Sequence, residues 1–179
     1  MRKKVSLTQS DVTQFYDSLV FPSRTTDSEY LLLASEIIKE GWRVGDFGCG
    51  QSLFYTAFRN LSPPPVFLDV SFNALKTIDY GIKIRADLCQ IPLKEGAFNA
   101  VFCIGVIHHL PDMDPALREL MRVIAADGLL IIGVYSPTSG GARLKRAYDV
   151  INSDVLKKLI FSSATVLLWA KLRRRFMLS

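Results

Sequence analysis

The sequence predicts an α/β protein: a doubly wound, mostly parallel sheet in one domain of 179 residues. Three observations carry that expectation. Two runs, 97–105 and 129–135, are apolar throughout and rich in β-branched and aromatic residues, as parallel strands covered on both faces are. Shorter strand-like runs precede them, each separated from the next by a helical stretch, and that alternation calls for right-handed crossovers. Finally, Val44-Gly45-Asp46-Phe47-Gly48-Cys49-Gly50-Gln51-Ser52 reads as a strand running into a glycine turn and a helix. A junction of that kind usually holds a ligand in such proteins.

Taken in order, residues 8–19 form a first helix, with Thr8 and Asp11 spaced as a capping box. Thr26 and Glu29 make a second box ahead of the apolar run Leu31-Leu32-Leu33-Ala34 with Ile37 and Ile38, and Gly41 closes that helix. A strand over 42–47 leads through the glycine turn to a helix over 51–60. Pro63-Pro64-Pro65 forbids helix and connects to a strand, Val66-Phe67-Leu68-Asp69. Ser71 caps a helix over 72–79, and Gly81 precedes a short strand at 82–85. Pro115 suits the first turn of the helix that runs to Ala125. Asp127-Gly128 then turns the chain into the last buried strand. Beyond Gly140-Gly141 the sequence reads as helical over 142–152 and again from Asp154 onward, with no pair of strands before Ser179.

This divides the single domain into N-terminal cover helices at 1–41, a core at 42–135 and a helical C-terminal segment at 136–179. Apolar content of 49% and charged content of 22% are those of an ordinary globular protein. The net charge of +5 is concentrated at Arg2-Lys3-Lys4 and Lys171-Leu172-Arg173-Arg174-Arg175. Such ends suit nucleic acid, an anionic membrane surface or simply solvent. Cys49, Cys89 and Cys103 have neither metal-ligand spacing nor an even count, so reduced thiols, a cytoplasmic location and no metal site are expected. The N-terminus lacks the apolar region of a signal peptide, and Leu159–Ala170 is too short to span a membrane as a helix, though it could lie on one.

In a doubly wound sheet, ligands sit beyond the carboxyl ends of the strands. Gly48 and Gly50 let the chain turn sharply and allow a ligand close to the backbone. The amides of the following helix favour anionic groups. Leu53 stands where a dinucleotide fingerprint would place its third glycine, which argues against pyrophosphate. Asp69 follows Gly50 by 19 residues, near the spacing at which an acidic residue meets a ribose. Asp87 can accept from an adenine amino group while the Leu88 amide faces a ring nitrogen. Each carboxylate alone would also serve as a turn or helix cap; three at successive strand ends make a stronger case.

The Asp-x-Gly-x-Gly turn at 46–50 resembles the first motif of class I S-adenosylmethionine (SAM)-dependent methyltransferases. The likeness extends through Ile91-Pro92-Leu93-Lys94-Glu95-Gly96-Ala97-Phe98-Asn99-Ala100-Val101, Gly105-Val106-Ile107-His108-His109-Leu110-Pro111, and Arg118-Glu119-Leu120-Met121-Arg122-Val123-Ile124 with Asp127-Gly128. Residues 42–135 look like the SAM-binding core of the group that includes quinone-biosynthesis C-methyltransferases and tRNA wobble-uridine methyltransferases.

That resemblance implies SAM as cofactor and S-adenosylhomocysteine as product. It implies that Gly48 and Gly50 face the methionine portion, Asp46 supports its amino group, Asp69 holds the ribose, Asp87 and Leu88 read the adenine, and Ile104 and Gly105 line the methionine side. Ser52, where the family often has glycine, is a small departure that adds a hydrogen-bond donor. Methyl transfer is an in-line displacement, so alignment and exclusion of water dominate, and a base is needed only if the acceptor must lose a proton. His108, His109 and Tyr16 are the candidates for that role. As neighbours, the two histidines are expected to point apart and not to act as one pair, and a purely structural role in the loop is the competing explanation.

Phe15 and Tyr16 lie on the N-terminal helix, which in similar enzymes folds over the cofactor, and core packing or simple coverage explains them equally well; Tyr135 is a further candidate for the acceptor pocket, and Cys49 has no partner that suggests a nucleophile. A small-molecule or lipid-like acceptor is the leading expectation. A tRNA substrate and a non-catalytic SAM-fold subunit are the alternatives. Similar enzymes finish the sheet with an antiparallel hairpin; here either the chain is a truncated or minimal version or an amphipathic last helix takes the hairpin's place, for packing, association or peripheral membrane contact.

Overall fold

The computed structural model describes residues 8–18, 28–135, 157–161 and 165–171. The fold class is the expected one. The elements run α1 (Gln9–Ser18), α2 (Ser28–Ile37), β1 (Val44–Phe47), α3 (Tyr55–Phe58), β2 (Val66–Asp69), α4 (Phe72–Leu75), β3 (Ile82–Arg85), β4 (Phe98–Ile104), α5 (Asp114–Val123), β5 (Ile124–Tyr135), β6 (Lys157–Phe161) and β7 (Thr165–Lys171). Strand order is β3-β2-β1-β4-β5-β7-β6. The first five strands are mutually parallel. Their order reverses between β1 and β4, so the ligand crevice of a doubly wound sheet lies there.

The two faces of the sheet bury separate cores. On one, Phe47, Leu68, Val101 and Leu130 meet Leu117, Leu120 and Val123 of α5. On the other, Val44, Phe67, Phe102 and Ile131 meet Ala34 and Ile37 of α2, Phe58 of α3 and Leu75 of α4. Consecutive residues of a strand point to opposite faces, which is why Phe67 and Leu68 fall in different cores. A four-residue helix is too short to hold itself together. Aromatic packing holds α3: Phe54 lies 5.1 Å from the Phe58 ring and 4.5 Å from that of Phe102. Full burial of one such phenylalanine contributes about 2–3 kcal/mol.

Local capping follows the sequence. The Thr8 amide donates to Asp11 Oδ2 at 2.8 Å, and the Asp11 amide donates to Thr8 Oγ1 at 3.2 Å. Ser71 Oγ accepts from the Ala74 amide at the start of α4. The box at Thr26 and the helix expected over 142–152 lie outside the described residues.

Three expectations are corrected. The helices expected over 51–60 and 72–79 shrink to Tyr55–Phe58 and Phe72–Leu75. For the first, Ser52 takes a φ of 62° and so interrupts any helix begun at Gln51. The last buried strand starts earlier than expected, at Ile124. Its pairing with β4 jumps from Phe98↔Ile124 to Ala100↔Leu129, so the Asp127-Gly128 turn becomes a bulge inside the strand.

The third concerns the C-terminus, which is not helical where the structure describes it. β7 runs antiparallel to β5, from Leu129↔Lys171 to Tyr135↔Thr165, and β6 pairs antiparallel with β7. A short apolar run cannot be assigned to helix or strand by periodicity alone, and this one contains Ile160, Phe161, Thr165, Val166 and Trp169, all residues that favour strands. The unpaired edge of β5 supplies the ladder that decides it.

Candidate functional site

Parallel strands in register bring their carboxyl ends to one side of the sheet. Asp46 lies opposite both Phe67 and Phe102, and Asp69 lies opposite Arg85. The chain leaving β1 therefore turns directly above β2. The Gly48 and Cys49 amides both donate to the Leu68 carbonyl, at 2.6 and 3.2 Å. Gly48 has a φ of 70° and Gly50 a φ of 53°. A Cβ on Gly48 would come within 2.5 Å of Val106, which follows β4, so glycine is required for the two strand ends to meet. At Gly50 a Cβ would meet nothing within 4 Å. The turn thus packs tightly on one side and leaves open space on the other.

Asp69 ties this turn to the next element. Its Oδ2 accepts from the Gly50 amide at 2.7 Å and its Oδ1 from the Ser71 amide at 2.8 Å. The Asp69 carbonyl accepts from the Ala86 amide at 3.0 Å, which sets Asp87 immediately beside it. Asp87 Oδ1 accepts from the Cys89 amide at 2.8 Å, forming a tight turn, while the Leu88 side chain is buried in the α5-side core.

Asp46 is 3% exposed, and its Oδ2 accepts from Ser52 Oγ at 2.7 Å. Ser52 Oγ in turn accepts from the Phe54 amide at 3.2 Å. Burial pushes the Asp46 carboxyl up to about 7, the Ser52 hydrogen bond opposes that rise, and the charge of Asp69 adds to it. Burial, then the charges of Asp46 and Asp69, also push the Cys49 and Cys103 thiols up, which disfavours thiolate chemistry there. The site is a negative cradle suited to a ligand with a cationic portion.

Ile104 is buried at the end of β4, and Gly105, with a φ of 76°, spends its amide on the Gly133 carbonyl at 2.7 Å. The chain then enters a short 3₁₀ turn, Ile107–His109. Ile107 and Leu110 anchor it in the core. The two histidines do not diverge as expected: their ring centroids are 3.9 Å apart at 44°. The tight turn carries both rings to the same side. Tyr16 of α1 lies 5.9 Å from His109, centroid to centroid. Burial raises the Tyr16 phenol, and the charge of Asp69 raises it further. Partial burial lowers the His109 imidazole.

Residues 45–132 match the family model described as a methyltransferase domain. Those residues form a methyltransferase domain of the kind found in the class I SAM-dependent methyltransferases. An uncharacterized protein of Methanocaldococcus jannaschii is 32% identical over 126 residues, 70% of this chain and 52% of that one. The malonyl-[acyl-carrier protein] O-methyltransferase of Legionella pneumophila is 33% identical over 104 residues, 53% of this chain and 37% of that one. The chain thus spans about half or less of the length of these relatives. A SAM-dependent methyltransferase from Aquifex aeolicus has the same fold, with a TM-score of 0.67 at 17% identity, over 89% of this chain and 98% of that one.

The cradle fits SAM, the cofactor of this family. Open space at Gly50 admits a ligand to the turn, and the buried Asp46 and Asp69 carboxylates suit its cationic methionine end and its ribose hydroxyls. The anion-binding helix terminus expected after the turn is absent, because α3 starts only at Tyr55; the turn amides remain. The structure gathers Asp46, Gly48, Gly50, Asp69 and Asp87 at the carboxyl ends of β1, β2 and β3, and it sets Tyr16 beside His109. Among the described residues, no group of three or more His, Cys, Asp or Glu is placed to hold a metal ion. No described helix is long and apolar enough to cross a membrane. Tyr135 ends β5. Sequence reasoning missed the contact of Val106 with Gly48, and its only available signal was the glycine itself.

Proposed function

We propose that this chain is the catalytic domain of a methyltransferase that carries a methyl group from SAM to a small-molecule or lipid-like acceptor. The observation that carries the reading is the Asp69 carboxylate, which bridges the Gly50 turn and the start of α4 beside open space. In this reading Asp46 takes the cofactor's amino group, Gly48 and Gly50 border its methionine portion, and Asp69 accepts from its ribose. Asp87 and the Leu88 amide read the adenine, while Ile104 and Gly105 wall the methionine side. When bound, the cofactor supplies an electrophilic methyl carbon.

The chain's own work is alignment and exclusion of water. α1 supports a sheltered acceptor by setting Tyr16 over His109. A lowered imidazole pKa keeps His109 neutral at pH 7, so it can take a proton from an acceptor hydroxyl or amine. His108 and Tyr16 orient that acceptor. The Legionella relative's name, an O-methyltransferase of a malonyl group on a carrier protein, supports an acceptor of this kind. Free Cys49, Cys89 and Cys103 support a cytoplasmic setting.

Calorimetry should show S-adenosylhomocysteine binding to the native chain. Asp69→Ala should remove it, because one charged acceptor serves both turn amides and ribose; losing even one such bond costs about 1.5–3 kcal/mol. Native protein that binds neither SAM nor S-adenosylhomocysteine would overturn the reading. Cell extract supplied with isotopically labelled SAM should then yield a labelled small molecule or lipid. Label confined to RNA, with binding that weakens steeply in salt, would identify a tRNA enzyme instead. Cofactor binding with no transfer to any fraction would indicate a non-catalytic subunit.

A further inference from the structure

The segment 87–93 must hold Asp87 and Leu88 in place, yet it forms neither helix nor strand. Its own bonds include the Cys89 amide to Asp87 Oδ1, the Gln90 amide to the Asp87 carbonyl and the Leu93 amide to the Ile91 carbonyl. Further support comes from a different element. On α5, Glu119 and Arg122 stand one turn apart and pair through Arg122 Nε to Glu119 Oε1 at 2.8 Å and Nη2 to Oε2 at 2.7 Å. The guanidinium then reaches the segment, with Nη1 on the Leu93 carbonyl at 2.7 Å and Nη2 on the Ile91 carbonyl at 2.8 Å. Glu119 Oε2 accepts from the Ile91 amide at 2.8 Å. Both polar groups of the Ile91 backbone are therefore held by this pair.

We propose that Glu119 and Arg122 are positioning residues that set Asp87 and Leu88 for recognition of the adenine of the cofactor. The inference rests on the cofactor reading above. A part-exposed ion pair is worth little as stability, since solvent screens it. Its value here is geometric: a planar guanidinium with several fixed donors can hold two carbonyls and a carboxylate at once, which lysine cannot. Beneath the pair, Leu88 and Ile91 insert into the core together, so a shift at Ile91 is transmitted to Leu88.

The test uses the full chain and two ligands: S-adenosylhomocysteine and its inosine counterpart, in which the 6-amino group is replaced by oxygen. Native protein should prefer the first. Arg122→Met should lose about tenfold in affinity for it, one hydrogen bond's worth, and most of the preference. Arg122→Lys should show the same trend, and carries the test should the methionine variant fail to fold. Glu119→Gln, which keeps its acceptor oxygen, should fall between. Hydrogen exchange at the Leu88–Ile91 amides should quicken in the arginine variants without any ligand. A purely structural role would lower the melting temperature and leave the ratio of the two affinities unchanged. Folded arginine variants that retain the native ratio overturn the proposal, as does native protein that binds S-adenosylhomocysteine without preferring it. Native protein that binds neither ligand overturns the cofactor reading itself.

Discussion

Asp46 is a carboxylate buried where its charge is disfavoured. Its folded-state pKa of about 7 lies above the 3.8 of the unfolded chain, so the folded form holds the proton more tightly. Stability from this group is therefore complete below about pH 4 and is lost as the pH rises to about 7; above that, keeping the ionised carboxyl buried costs about 4 kcal/mol. Asp46→Asn should raise the melting temperature at pH 8, with the gain shrinking as the pH falls toward 4, while S-adenosylhomocysteine affinity drops at pH 8. The native chain should bind that ligand more weakly as pH falls below 7, since its ammonium needs the ionised form. Calorimetric titrations and thermal unfolding across pH 4–8 measure both trends; a variant that tracks the native melting curve at every pH would refute the account. The sequence exposes Asp46 and Asp69 as candidates because both stand at strand ends beside glycine or serine turns. It does not show that Ser52 hydrogen-bonds Asp46, since that contact depends on a φ of 62° that only the folded turn reveals.

Among the elements, the parallel strands were legible and the short helices were not, for one physical reason. A strand such as β4 announces itself through a continuous apolar run, whereas the length of α3 depends on where the preceding turn leaves the left-handed region. The C-terminal strands fail for a related reason: an apolar run with charged ends suits either structure until an open sheet edge chooses. The junction of β1 and β4 makes the same point about the crossing of elements. Gly48→Ala should cost about 1–3 kcal/mol by overpacking against Val106, with a further 1–2 kcal/mol or about that for an alanine at a φ of 70°. Adding Val106→Ala should recover the overpacking part and leave the backbone part, a coupling that denaturant unfolding of the four chains of a double-mutant cycle would measure. Equal losses in the presence and absence of Val106 would mean that this side chain does not fix the height of the turn.

At the scale of the molecule, the sheet must end somewhere, and its two sides end differently. β3 is a four-residue edge strand that carries Lys83 and Arg85, a length and charge that resist pairing with another chain. β5 is long and apolar, and β7 covers it from Leu129 to Tyr135. A chain that stops at Tyr135 keeps every residue proposed to touch SAM and loses that cover. It should therefore associate through the β5 edge, sedimenting as dimers or larger species as concentration rises, whereas the full chain sediments more slowly under the same conditions. S-adenosylhomocysteine binding should persist in the shortened chain, because the cradle's residues stand at the ends of β1, β2 and β4. A shortened chain that stays monomeric and unfolds at the native temperature would show that the strand pair does something other than close the sheet. Loss of ligand binding in a shortened chain that is still folded would show that the C-terminal strands reach the site through a contact beyond the ladder.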